Sequence, residues 1–177
     1  MPLRRSAVTT LIAVALCVFG TQAAAGQRVT PVPKLDLNRF VGVWYVMARY
    51  PDKMEKQCTR NDTILFALGT KANTFQMGIF CHIKADISSE WDAHGKMDKM
   101  GDGDLKVTHI WPFRKTYTVM ALGPQYEWAL LGTSNHKMLW ILSRAVVLTP
   151  DVLTQIEGIA SSQGYDTSKL IQVPQQH

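Results

Sequence analysis

Eight short segments of β-strand composition follow one another between residues 42 and 143, and no helical periodicity interrupts them. Val, Ile, Thr and aromatic residues are frequent in most of these segments, and Gly, Pro, Asn, Asp and Ser separate each segment from the next. Short connections between consecutive strands favour an antiparallel arrangement, because parallel strands need long crossovers. The predicted strands are 42–50, 59–68, 74–83, 90–99, 104–111, 115–122, 126–132 and 137–143.

A sheet of this size avoids unpaired edges by closing on itself, and eight strands enclose an interior wide enough for one small ligand. The pattern therefore favours an all-β fold, an eight-stranded antiparallel up-and-down β-barrel. A two-sheet sandwich with Greek-key connections stays open on the pattern alone. A one-turn helix at 36–40 and a short ninth strand at about 169–172 are also expected.

One longer helix is predicted near the C-terminus. Thr149 suits the N-cap, Pro150 the first helical position, Asp151 the positive end of the helix dipole and Gly164 the C-terminal stop. The apolar residues within 152–160 recur at spacings of three and four and form one face. We expect that face to pack on the outside of the barrel.

The first 25 residues have the layout of a secretory signal peptide. Two arginines precede an uncharged stretch that ends in small residues at 23–25. The strongly apolar part, 11–19, is shorter than the roughly 20 residues that cross a bilayer. We therefore expect 1–25 to be removed on export, and 26–177 to fold as a single domain in the periplasm or outside the cell.

Removal of the leader takes away two arginines and no acid, so the formal net charge falls from +5 to +3. The remaining Lys and Arg residues are interspersed with Asp and Glu. Such a distribution is typical of a solvated surface, and nucleic-acid binding is not expected. Weak contact with an anionic membrane surface stays open.

Three cysteines are present, and Cys17 has a different interpretation from the other two. Cys17 lies within the apolar run of the leader and follows the bulky Leu16, whereas a bacterial lipidation cysteine follows a small residue, so a lipid-anchored outer-membrane form is less expected. Cys58 and Cys81 lie in the exported part, where an oxidising compartment favours a disulfide bond. A hairpin that turns at 69–73 brings these two positions close together. A reactive thiol facing a cavity is the alternative.

The string Gly42-Val43-Trp44-Tyr45 opens the first predicted strand, shortly after the predicted helical turn. It resembles the G-x-W signature of the lipocalins. Segment 117–131 is similar to the sixth and seventh strands of that family, and segment 139–144 resembles its eighth strand with a terminal arginine. The likeness covers essentially the whole of 26–177 and is strongest to the bacterial lipocalins related to apolipoprotein D.

The resemblance implies structural roles for three residues. Trp44 would fill the closed end of the barrel, and Arg144 would lie across its indole ring and cap backbone carbonyls of the entry turn. Stacking of a cation on an indole is worth about 0.5 to 2 kcal/mol. Gly42 would allow the backbones to approach closely there.

The resemblance also implies a cavity for a small hydrophobic ligand inside the barrel. If Trp44 faces inward, strand alternation places Val46 and Ala48 on the same side. The same reasoning on the other strands extends the predicted ligand-contacting set to Trp91, Leu105, Val107, His109, Tyr126, Trp128 and Trp140. An apolar and aromatic lining suits a fatty acid, a lysophospholipid or a similar lipid, and haem or another porphyrin also fits. Binding, storage or transport of a lipid in envelope maintenance would follow.

The sequence predicts neither an enzyme nor a cofactor. The five histidines show no metal-binding spacing, and segment 98–104 lacks the oxygen ligands of a calcium loop, so no metal site is expected. No nucleophile elbow, phosphate loop or dinucleotide fingerprint is present. Three alternatives stay open: a barrel filled by its own side chains, a thiol-dependent lipid isomerase that uses Cys58 or Cys81, and a surface adaptor that binds no lipid. A monomer and a homodimer are both compatible with the sequence.

Overall fold

The computed structural model describes residues 28–53, 55–83, 88–98 and 101–176. The predicted signal peptide and Cys17 lie outside these residues. The strands are β1 Gly42–Arg49, β2 Arg60–Leu68, β3 Thr74–His82, β4 Ser88–Met97, β5 Asp104–Ile110, β6 Phe113–Leu122, β7 Trp128–Gly132, β8 Leu139–Ser143 and β9 Ile171–Gln172. The helices are α1 Leu37–Phe40, α2 Pro150–Ser162 and a 3-10 turn at Thr167–Lys169.

The strands form one antiparallel sheet in which each strand from β2 to β7 pairs with the next along the chain. β1 pairs with β8 on one side and with β2 on the other, which closes the sheet into a barrel. β9 pairs with the end of β1. The predicted eight-stranded up-and-down barrel is therefore confirmed, and the sequential strand order excludes the Greek-key sandwich.

The two ends of the barrel differ. The turns after β2, β4 and β6 lie at the end that carries α1. The N-terminal segment crosses this end, where the backbone N–H of Val32 donates to the carbonyl of Val119 and that of Leu35 to the carbonyl of Gly101. Leu35, Leu37 and Phe40 belong to the buried core. We call this the closed end. The opposite end, where the connections after β1, β3, β5 and β7 lie, is the open end.

Helix α2 has the predicted start. The Thr149 hydroxyl accepts a hydrogen bond from the Val152 N–H at 3.5 Å, and Pro150 and Asp151 occupy the first turn. Ile156 and Ala160 are fully buried and pack on the outer face of the barrel. Among the residues that the structure describes, no helix combines the length and the apolar character of a membrane-spanning segment.

A bulge in β1 overturns one sequence expectation. Between Val46 and Ala48 the pairing with β8 shifts by one residue, so an extra residue of β1 faces β8 and the alternation of side chains reverses. Trp44 and Val46 belong to the cluster inside the barrel, whereas Ala48 belongs to the cluster beneath α2. The predicted inward orientation of Ala48 is therefore wrong. The reversal also turns Arg49 away from the outer cluster.

Trp128 is the second correction. The predicted strand 126–132 begins too early, because Tyr126 has a positive φ of 61° and lies in the turn before β7. Ala129 and Leu131 face the barrel interior, and Trp128 packs on the outside with the residues beneath α2. Every residue of β7 is buried because the helix covers its outer face, so the strand shows no polar alternation from which the register can be predicted.

Candidate functional site

At the closed end, Arg144 stacks on the indole of Trp44, with its guanidinium carbon 3.7 Å from the ring centroid. The guanidinium also donates to the carbonyl of Val43 at 2.7 Å and to the carbonyl of Phe40 at 2.8 Å, and it reaches two further carbonyls of the entry turn. The Trp44 indole N–H donates to the Phe40 carbonyl at 2.8 Å. These contacts close the bottom of the barrel as the resemblance implies.

Gly42 is required beside this arginine. Its φ is +109°, a conformation that side-chain-bearing residues rarely adopt. A Cβ atom at this position would lie 3.0 Å from Nη1 of Arg144. The glycine therefore leaves room for the cation that caps the entry turn.

Tyr126 also belongs to the closed end. Its hydroxyl accepts a hydrogen bond from the backbone N–H of Asp36 at 3.0 Å, and the Arg39 guanidinium carbon lies 4.2 Å from its ring centroid. The residue ties the β6–β7 turn to the segment before α1. It therefore lies at the opposite end of the barrel from the mouth near which the sequence placed ligand contacts.

The remaining predicted lining residues face the interior. Val46, Leu105, Val107 and Trp140 are buried members of the interior cluster, and Trp91 is a partly buried residue that packs against it. Contact of these residues with a ligand stays a prediction.

A buried polar cluster lies near the open end and joins the β1–β2 loop to the barrel wall. Arg49 donates from Nε to the Asp62 carboxylate at 2.8 Å and from Nη2 to the backbone carbonyl of Glu55 at 2.9 Å. The Glu55 carboxylate lies 3.9 Å from Arg49 Nε and accepts the indole N–H of Trp140 at 3.3 Å to each oxygen. All four side chains are at most 3% exposed. The cluster thus combines one cation with two carboxyl groups out of contact with water.

Burial raises the pKa of Glu55 to about 7. The Arg49 guanidinium opposes this rise in pKa, and the Asp62 carboxylate contributes to it. Burial also raises the pKa of Asp62, and its hydrogen bond and ion pair with Arg49 act against this effect. Glu55 is therefore the member of the cluster that changes its protonation near neutral pH.

Tyr117 and His109 form a second polar pair next to Trp140. Tyr117 packs edge-on against Trp140 at 5.0 Å between ring centroids, and its hydroxyl lies 3.0 Å from Nε2 of His109. Burial lowers the pKa of His109, and the nearby Lys115 lowers it further. Within the described residues, Nδ1 of His109 and Oδ1 of Asp62 are buried without a hydrogen-bond partner. Each atom therefore has hydrogen-bonding capacity that the described residues do not use.

Cys58 and Cys81 form a disulfide bond with a Cα–Cα distance of 5.5 Å, which confirms the predicted pairing. The bond ties the β1–β2 loop to the end of β3. A carboxylate oxygen of Asp62 lies within 4.8 Å of both sulfur atoms, the spacing of a metal site. Because metal ligation requires thiolates, the disulfide removes two of these three ligands.

A cleft of about 410 Å³ opens beside the open end. Its wall combines three cations, Arg114, Lys115 and Lys137, with one carboxylate, Asp52. The Lys115 ammonium lies 3.9 Å from the sulfur of Met138, a member of the interior cluster. The border of the barrel interior at this end is therefore cationic.

Sequence reasoning missed the Arg49, Glu55 and Asp62 cluster. On a regular strand Arg49 would alternate away from Trp44, and only the bulge removes that conflict. The inward orientation of Asp62 was predictable, because Asp62 lies two positions before the inward-facing Ile64 on β2 and alternate residues of a strand face the same side. The orientation of Glu55 was not predictable, since Glu55 lies in a loop whose path depends on tertiary contacts.

Comparison with known proteins agrees with this architecture. A family profile described as "Lipocalin-like domain" matches residues 35–175. The outer membrane lipoprotein Blc of Citrobacter freundii is 30% identical over 175 residues, which cover 96% of this chain and 94% of that protein. Its namesake from Vibrio cholerae is 29% identical and covers 85% of this chain and 88% of its own length.

A solved structure shows the same fold at lower sequence similarity. Insecticyanin from the tobacco hornworm Manduca sexta superimposes with a TM-score of 0.66 at 18% identity, covering 82% of this chain and 83% of its own. The profile match spans most of the chain. The barrel of this protein also has the closed end that the G-x-W resemblance implies. The chain belongs to the lipocalin family.

Proposed function

We propose that this protein binds and carries a small amphiphilic lipid, a fatty acid or a lysophospholipid, inside the barrel. The observation that carries the proposal is the distribution of polarity along the barrel axis. The closed end is filled by aromatic side chains, with Phe66 5.0 Å from Phe40 and 5.7 Å from Phe75 between ring centroids. The buried polar groups, among them Glu55 and His109, lie toward the open end. An acyl chain along the axis with its head group at the mouth fits this gradient.

The apolar wall supplies the affinity in this proposal. Each buried CH₂ group of an acyl chain contributes roughly 0.8 kcal/mol, so a long chain binds at micromolar concentration or below after the cost of association. The unpartnered Nδ1 of His109 and the cations beside the mouth supply contacts for a polar or anionic head group. Haem and other porphyrins are wide, flat ligands, and the gradient of polarity along the barrel axis favours an elongated amphiphile over them.

The experiment that tests the proposal is native mass spectrometry of protein purified without added lipid, followed by denaturing extraction of its cargo. About one acyl species per barrel supports a carrier. An empty barrel that also takes up no fluorescent fatty acid would overturn the proposal and favour an adaptor that acts through its outer surface. The same spectra separate monomer from homodimer.

A matched pair of variants on β4 locates the ligand. Ala93 faces the interior cluster, and its neighbour His94 is exposed on the outer face. Ala93→Phe fills the interior and is expected to weaken binding of a fluorescent fatty acid by tenfold or more, whereas His94→Phe leaves it unchanged. Equal effects of the two variants would place the ligand elsewhere. Circular dichroism confirms that both variants fold.

We further propose that the protein is exported and acts in maintenance of envelope lipids. The support is the leader-like segment 1–25 and the similarity to proteins named outer membrane lipoproteins. Cleavage after Ala25 predicts an intact mass that begins at Gly26. A mature protein that begins at Cys17 and carries a diacylglyceryl mass would instead show a lipid-anchored form.

A thiol-dependent isomerase is the enzymatic alternative, and the disulfide bond argues against it. Such an enzyme needs a free thiolate that faces the cavity. Cys58 and Cys81 are bonded to each other, so neither supplies that nucleophile while the bond is intact. We therefore favour binding over catalysis.

A further inference from the structure

The β5–β6 hairpin carries an exposed apolar cluster at the open end of the barrel. Ile110 is 72% exposed, Trp111 80% and Phe113 76%, and the three follow one another around one tight turn. Single exposed apolar side chains are common on soluble proteins, but a cluster of three large ones marks an interaction site. We call these three residues the hairpin tip.

The charges next to the hairpin tip have one predominant sign. Arg114 and Lys115 follow it directly and are exposed, and both line the cleft that also contains Lys137. Asp52 is the carboxylate of that cleft. The apolar tip therefore projects from a surface that is positive on balance.

We propose that the hairpin tip inserts into the interfacial region of an anionic lipid bilayer and sets the mouth of the barrel against the membrane. This proposal rests on the proposed lipid-binding function and names the surface from which lipid would be exchanged. Trp and other aromatic side chains favour the membrane interface, and adjacent Lys and Arg are attracted to anionic head groups. Binding of this kind scales with the buried apolar area plus the electrostatic attraction.

The position of the tip gives the contact a consequence. His109, which faces Tyr117 inside the barrel, directly precedes Ile110 at the tip. Lys115, just after the tip, reaches Met138 of the interior cluster. An acyl chain that leaves the bilayer at the tip is therefore already beside the barrel interior and does not need to cross water.

A second copy of the chain is a less suitable occupant. A symmetric contact through the tip would bring Arg114 and Lys115 close to the same residues of the partner, and like charges oppose each other across an interface. A fluid anionic bilayer satisfies both the apolar side chains and the cations.

The test is co-sedimentation of the purified protein with vesicles of phosphatidylethanolamine and phosphatidylglycerol, and with vesicles of phosphatidylcholine alone. The tip variant combines Ile110→Ser, Trp111→Ser and Phe113→Ser. The control variant combines Leu68→Ser and Val147→Ser, which remove exposed apolar side chains next to the closed end.

We expect wild type and the control variant to sediment with the anionic vesicles. The partition coefficient of the tip variant should be lower by roughly tenfold or more, because apolar contact area is lost. The double variant Arg114→Gln with Lys115→Gln is expected to weaken binding to anionic vesicles only. Added salt should weaken wild-type binding in the same way, because it screens the attraction.

Two results would overturn the proposal: wild type that does not sediment with anionic vesicles, or a tip variant that sediments as well as wild type. A concentration-dependent dimer that the tip variant abolishes, together with no vesicle binding, would assign the tip to a second copy instead. Uptake of a fluorescent fatty acid in solution is measured separately for wild type and for the tip variant. Wild type that takes up the fatty acid but does not bind vesicles refutes the docking surface alone, and wild type that binds vesicles but takes up no fatty acid refutes the proposed function alone.

Discussion

Trp140 donates its indole N–H to Glu55 inside the barrel, with Nε1 3.3 Å from each carboxylate oxygen. Trp140 lies on β8 and Glu55 in the loop between β1 and β2, so this hydrogen bond attaches the loop to the barrel wall. The loop is also held by the Arg49 contact to the Glu55 backbone and by the disulfide at Cys58. These three attachments fix the loop at the mouth of the barrel.

Glu55 makes the stability of the protein depend on pH. Burial raises its pKa from 4.5 to about 7, so the folded state favours the protonated carboxyl. The resulting stabilisation is fully present below pH 4.5, decreases above that value and is lost as the pH rises through about 7. Glu55→Gln keeps a neutral side chain at every pH, and we expect it to be more stable than wild type above neutral pH by at most about 3 kcal/mol.

Urea denaturation at several pH values measures this difference. The free energies of unfolding of wild type and Glu55→Gln should converge toward pH 4.5 and separate toward pH 8. Glu90→Gln, at an exposed position of β4, serves as the control and should follow wild type throughout. A constant difference between Glu55→Gln and wild type across the pH range would contradict the assignment.

Substitution of Arg144 at the closed end is expected to cause a large loss of stability. Arg144→Ala removes the stacking on Trp44 and the hydrogen bonds to the entry-turn carbonyls, so we expect unfolding to become easier by about 2 to 4 kcal/mol. Arg144→Lys keeps the charge but not the planar fork, and an intermediate loss is expected. Equilibrium urea denaturation measures both. Arg114→Ala, an exposed arginine at the other end, should stay within about 0.5 kcal/mol of wild type.

The closed end and the strand order were predictable from sequence because they depend on local signals. Turn residues separated the strands, and Gly42 and Trp44 stood at the start of the first strand. The caps of α2 were equally local, since Thr149 and Pro150 act within one helical turn. The barrel and its single helix follow from such signals and from the need to close the sheet.

The details of the site depended on tertiary effects that strand alternation does not contain. The bulge in β1 places Ala48 beneath α2 and reverses the side chains that follow, so a period of two misassigned this position. Trp128 was misassigned because α2 buries the outer face of β7. The position of Glu55 is set by a buried cation and by an indole far away in sequence, which no local pattern encodes.

The disulfide bond is expected to stabilise the fold by limiting the unfolded chain. Cys58 and Cys81 are 23 residues apart, so the double variant Cys58→Ser with Cys81→Ser should lose about 3 kcal/mol of unfolding free energy. Thiol titration of the unreduced protein without residues 1–25 should find no free thiol before or after denaturation. A titre of two thiols would return the isomerase to consideration. Circular dichroism of the double variant separates a weakened barrel from one that fails to fold.

Val46 and Ala48 give a direct test of which side chains line the ligand cavity. Both are fully buried, but Val46 belongs to the interior cluster and Ala48 to the cluster beneath α2. Each larger substitution, Val46→Phe or Ala48→Leu, overpacks its cluster and is expected to cost about 1 to 3 kcal/mol of stability. Only Val46→Phe should also weaken binding of a fluorescent fatty acid, because only that side chain enlarges into the barrel. If Ala48→Leu reduced acyl binding as much as Val46→Phe, the ligand would extend to the outer side of β1, and the interior would not be its site.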